Sequence, residues 1–115
     1  MKIVFSTKNV SRPSFLDTCQ YAYDYGFAGF EIYDAIKERA VHHDSILRRD
    51  RTADAKRKLI NRNLSVSALS FPYSLETADA TSDALVKYVD MAATAGVEYI
   101  IVRIENKTEF EMLGQ

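Results

Sequence analysis

Apolar residues recur along this chain in two alternating rhythms. Short runs rich in β-branched and aromatic residues read as strands: "KIVFS" at the start, then "GFEIYD", "LSVSALSF" and "VEYIIVRI". Between them lie segments with helical spacing. In "SRPSFLDTCQYAYDYG", Phe15, Cys19, Ala22 and Tyr23 fall at i, i+4, i+7 and i+8 on one face, with Ser11 or Ser14 as N-cap and Pro13 near the first turn. Tyr23 reads as core. In "TADAKRKLINRN", Thr52 reads as N-cap and Leu59 and Ile60 form a thin apolar face. In "TSDALVKYVDMAATAG", Leu85, Tyr88, Val89 and Ala92 line one face.

Each helix has a stop signal. Gly26 and Gly96 suit a left-handed residue after the last turn, and Asn63, the next-best residue for that conformation, takes the place of glycine between them. The stops are 37 and 33 residues apart, and a strand begins within about three residues of each. The pattern is a βαβαβαβ string, hence an α/β fold with parallel strands and helices outside. The run Ile100-Ile101-Val102 is apolar on both faces, as expected of a parallel sheet covered on both sides. A doubly wound sheet and a (β/α)8 barrel share such a string. The turn after the first strand, "STKNVSRPS", holds no glycine, and no phosphate loop occurs, which favours the barrel.

Bulk composition narrows the function. The 115 residues fit one domain, and 47% hydrophobic with 27% charged residues is enough to bury a core. A net charge of −1 argues against a nucleic-acid or membrane-surface binder. The single cysteine, Cys19, excludes an internal disulfide and speaks against a structural zinc site; on an apolar helix face it reads as an inert buried thiol. The N-terminus reads as lacking a signal peptide, and no apolar run approaches the length of a membrane span. The expectation is a cytoplasmic protein.

The phrases "KIVFSTKNVSRPSF", "YAYDYGFAGFEIYD", "KLINRNLSVSALSFP" and "AATAGVEYIIVRI" together resemble the xylose-isomerase-like barrels, the sugar-phosphate isomerases and epimerases that share a superfamily with family 2 apurinic endonucleases. The resemblance spans roughly residues 2–105. It implies that the chain, as a single domain over 1–115, is the N-terminal half of a (β/α)8 barrel: a fragment, a truncated chain, or a half that pairs with another. A whole barrel runs to about 250 residues. It also implies a sugar or sugar-phosphate ligand and metal-assisted proton transfer next to a carbonyl, with the divalent metal held chiefly by later strands that this chain does not supply. The endonuclease branch is disfavoured, because neither the third nor the fourth strand ends in a histidine. The alternative is a non-catalytic half-barrel that dimerises through its open strand edges, with Phe110, Met112 and Leu113 of the tail available to cap one edge.

Barrel sites sit at the C-terminal ends of strands. That places four candidates for substrate binding: Glu31, His42, Arg103 and Glu105. Glu31 alternates with Phe30 and Ile32, so it lines a pocket or pairs with a cation. His42 and His43 lie in "AIKERAVHHDSILRRDR", read as a long loop after the second strand and a candidate lid, or as a polar loop with surface histidines. Arg103 and Glu105 share one side of the last strand, for substrate or for each other. Arg48, Arg49, Arg51, Lys56, Arg57 and Lys58 read as a contact for a sugar phosphate or for RNA, or as a solvated helix face balanced by Asp44, Asp50 and Asp54. Asn9 reads as a turn residue. No catalytic or metal-ligating residue is assigned within the chain.

Overall fold

The computed structural model describes residues 1–74 and 78–103, with residues 72–74, 78–82, 84 and 103 described by their backbone alone. The elements run β1 (Val4–Ser6), α1 (Phe15–Asp24), β2 (Gly29–Tyr33), α2 (Ala35–Val41), α3 (Thr52–Ile60), β3 (Ser65–Ser74), α4 (Ala78–Ala95) and β4 (Tyr99–Arg103). All strand pairs are parallel, in the order β1-β2-β3-β4. Each strand therefore lies beside the next one in sequence. This α/β arrangement is compatible with a half-barrel of βα units.

The three stop signals work as their chemistry dictates. Gly26, Asn63 and Gly96 all take positive φ, at 78°, 54° and 72°. Ser14 is the N-cap of α1, its Oγ accepting from Asp17 N at 3.1 Å. Asn9 donates its backbone N–H to Ser6 O at 3.1 Å, closing the turn expected of it.

Other readings are corrected. The segment after β2 is not one long loop: residues 35–41 form α2, so the described residues hold four helices. Thr52 is the first helical residue of α3, not its cap; Arg51 holds the cap position without a side-chain bond. The Thr52 hydroxyl instead donates to Ile46 O and Arg48 O, at 3.0 and 2.9 Å. Tyr23 is 58% exposed, because the buried stripe of α1 is Phe15, Thr18, Cys19 and Ala22. Ile60 and Val89 also point outward.

One sheet face carries the core. Phe5 aligns with Phe30, Ile32 with Leu69 and Ile100, and Phe71 with Val102. This row packs with Cys19, Ala35, Leu59 and Tyr88, so all four helices contribute to one buried cluster. The other face alternates with it: Val4 and Ser6, Glu31 and Tyr33, Ser70, Tyr99 and Ile101. Here the expectation of two covered faces fails among the described residues, with Val4 at 45%, Tyr99 at 62% and Ile101 at 48% exposed. No helix among the described residues is long and apolar enough to cross a membrane.

Gly29 sets how closely β2 and β3 approach. A Cβ there would lie 1.9 Å from Ser65 O, a backbone atom that no rotamer change can move. Gly29→Ala is expected to cost about 2–3 kcal/mol in urea-unfolding stability as the strands are forced apart.

Candidate functional site

The loop after β1 and the start of α2 meet at the C-terminal ends of the first two strands. Thr7 joins them: its backbone N–H donates to Glu31 O at 3.0 Å, and its Oγ1 accepts from Tyr33 N at 2.8 Å. Asp34 then turns the chain with φ of 52°, and its Oδ1 accepts from Lys37 N at 3.3 Å to start α2. Between these segments is a cavity of about 370 Å³. Thr18 and Phe30 are among the buried residues that line it, and Lys8, Arg12, Tyr33, Lys37, Glu38 and His42 bring chemistry to its wall. A larger cavity, about 650 Å³, lies at the opposite ends of these strands beside Ile3, Ala28 and Ser65. Its Arg62 is already committed to Gln20 Oε1 and Lys58 O, so the chemistry favours the smaller one.

Glu38 and His42 are the residues of greatest chemical interest. They sit one helical turn apart, and His42 Nδ1 lies 3.0 Å from Glu38 Oε1. The other carboxylate oxygen, Oε2, accepts from the buried Ser45 hydroxyl. Ser45 Oγ in turn accepts from Leu47 N at 3.1 Å, which locks the hydroxyl toward Glu38. The Glu38 side chain is only 9% exposed. Burial pushes its carboxyl above the usual range, and the bonds from Ser45 and His42 offset only part of that. With Glu38 ionised, the proton between the pair belongs to imidazole Nδ1. In the neutral imidazole with that tautomer Nε2 is an acceptor, and it has no partner among the described residues.

The segment that carries this pair is tied down on both sides. Asp44 accepts from Phe15 N and Leu16 N, both at 2.9 Å, and pairs with Lys58 Nζ at 3.3 Å. It thereby serves the first orphan N–H groups of α1 from a residue far along the chain. Burial raises the Asp44 carboxyl, but the two backbone donors and Lys58 outweigh it and hold it below the usual aspartate range. Arg48 closes the other end, its guanidinium donating to Arg39 O, Ala40 O and His42 O.

The expected site residues separate. His42 lines the cavity, while His43 is exposed. Glu31 lies on the open sheet face below Tyr33 and outside the cavity lining, and it has no ion pair among the described residues. Arg103 closes β4, but its side chain lies outside the described residues, as do Glu105, Phe110, Met112 and Leu113. The basic stretch is largely internal chemistry: Arg57 pairs with Asp54, Arg51 with Asp50 and Lys58 with Asp44. Cys19 is buried, and burial pushes its thiol up to about 12, as suits an inert core residue. Glu38 was not singled out from sequence. The signal was present in the four-residue spacing to His42, but "AIKERAV" has no clean apolar stripe to announce a helix.

Among the described residues no group of three His, Cys, Asp or Glu side chains could hold a metal ion. Comparison of the chain with protein-family models, curated proteins and solved structures finds no match.

Asp44 yields a test of how the site is held. Its contribution to stability is present above the ordinary aspartate value of about 3.9 and is lost as pH falls through the lowered native value. Asp44→Asn is expected to cost about 2 kcal/mol at neutral pH, with the gap to the unsubstituted chain closing below about pH 4. Urea titrations of both chains across that pH range read this directly.

Proposed function

We propose that the cavity at the ends of β1 and β2 is a sugar or sugar-phosphate site, and that the chain is the N-terminal part of an isomerase or epimerase that moves a proton next to a carbonyl. The observation that carries this reading is the Glu38–His42 pair at the cavity wall. An imidazole whose Nδ1 is held by a buried carboxylate presents Nε2 as a base with fixed tautomer and orientation. In the proposed isomerisation Nε2 takes the proton from the hydroxyl-bearing carbon beside the carbonyl, the hydroxyl proton passes to the carbonyl oxygen, and the imidazolium returns its proton to the former carbonyl carbon on the same face; epimerisation requires a second proton donor on the opposite face. Glu38 acts through His42 as a positioning residue. The cavity volume falls within the range of roughly 300–1,000 Å³ usual for small-molecule sites. No step is assigned to a metal. By itself this chain is expected to bind its ligand but to turn it over slowly or not at all, since a barrel site draws residues from several strand ends.

NMR titration with ketoses and ketose phosphates tests the reading. Saturable shifts at Thr7, Tyr33 and His42 are expected, with affinity about tenfold lower in His42→Ala. Absence of saturable binding by every sugar and sugar phosphate tried would remove the proposal.

A second reading rests on the open sheet face. Val4, Tyr99 and Ile101 expose apolar surface on β1 and β4, the outer strands among the described residues, and unpaired parallel edges favour association. In this reading the chain is a non-catalytic assembly domain that forms a homodimer across those edges. Sedimentation velocity over a concentration series is then expected to show a dimer that Ile101→Glu dissociates; a monomer throughout would exclude it.

A further inference from the structure

The cavity that holds His42 has an uneven charge balance. Lys8, Arg12 and Lys37 line it against two carboxylates, Asp34 and Glu38. Both carboxylates are already engaged: Asp34 caps α2 through Lys37 N, and Glu38 holds His42 and Ser45. The three cations have no carboxylate partner among the described residues. Two are instead placed by aromatic rings, Lys8 Nζ 5.3 Å from the centre of Tyr33 and the Arg12 guanidinium 5.5 Å from that of Tyr21. Such contacts steady a cationic head without neutralising it.

A second cavity, between α2 and α4, also has three cations in its wall, Arg39, Arg49 and Lys87. One carboxylate, Asp90, stands among them, so the formal balance of that wall is as positive as that of the first cavity or more so. Charge alone therefore does not choose between the two; the first cavity is distinguished by the Glu38-held imidazole of His42, by Tyr33, and by two cations steadied on aromatic rings. A concave wall with unbalanced positive charge concentrates anions more strongly than the same charges spread over a convex surface.

We infer that the cavity is an oxyanion site, in which Lys8, Arg12 and Lys37 hold the phosphate or carboxylate group of the ligand beside His42. Arg12 offers a planar fork that matches two oxygens of such a group, and the lysines act as movable point charges. The site is distinct from the basic stretch 48–58, where four cations serve helix ends and internal ion pairs. The inference rests on the reading of this cavity as a ligand site and specifies the charge of what enters it.

The test is a titration of ¹⁵N-labelled full chain at low ionic strength with inorganic phosphate, acetate and a neutral ketose as separate probes. Phosphate is expected to give saturable shifts at Lys8, Arg12, Lys37 and His42. Its affinity should fall about tenfold in Lys37→Ala and Arg12→Ala, and stay unchanged in Lys87→Ala of the second cavity. Both cavity residues substituted are exposed, so the fold is expected to survive, and the unshifted core amides report this. Stronger binding of phosphate than acetate assigns a phosphate ester, and the reverse assigns a carboxylate. Shifts that never saturate, that spread over the surface, or that ignore Lys37→Ala and Arg12→Ala overturn the inference. Neutral ketose bound without phosphate overturns it while leaving the sugar reading standing. Phosphate bound in the cavity with no sugar or sugar phosphate held more tightly ends the sugar reading and leaves the oxyanion site.

Discussion

The carboxylate of Asp44 is the interaction on which the site depends. It receives the first two N–H groups of α1 and the ammonium of Lys58 on α3. Asp44, which lies between α2 and α3 in the chain, thus ties this segment to α1 and to Lys58 of α3. A buried carboxylate is costly unless several donors converge on it, and here three do. Because Asp44 is held, its neighbour Ser45 is buried, and because Ser45 is buried, its hydroxyl meets Glu38. The orientation of His42 follows from that chain of contacts.

The two faces of the sheet do different work. The row from Phe5 through Phe30, Ile32, Leu69 and Phe71 to Val102 belongs to the helix-side core, with Tyr88 stacked on Phe71. The opposite row mixes Ser6, Glu31, Tyr33 and Ser70 with exposed apolar residues at the edges. A side chain such as Glu31 is tolerated in a central strand because it stands on this second face, half-buried, rather than in the core. The cavity lies at the end where strands hand over to loops, the place where backbone is free to depart from regular pairing and side chains can converge.

Much of the fold was legible in sequence because its signals are local. Gly26, Asn63 and Gly96 announce helix ends through the steric cost of positive φ, and that cost depends on the residue alone. Ser14 and the alternation around Glu31 were readable for the same reason. The helix over 35–41 was not, since a short helix held by Arg48 at one end and Asp34 at the other needs no amphipathic stripe. Tyr23 was misplaced because a helical face is wider than the part that its neighbours cover. The choice of which edge of that face is buried belongs to the packing of α1 on α3 and β2.

The sequence by itself determined the alternation of strands and helices, the places where each helix stops, and an inert Cys19, all from steric and solvation preferences of single residues and their nearest neighbours. Only the tertiary structure decided the strand order, which face of the sheet is covered, and the meeting of Glu38, His42 and Ser45 in a cavity wall that also holds Lys8, Arg12 and Lys37. Those features depend on groups such as Phe15 and Asp44, distant in the chain and joined by a single hydrogen bond, and the free energy of such a contact is written in the folded geometry rather than in any local pattern.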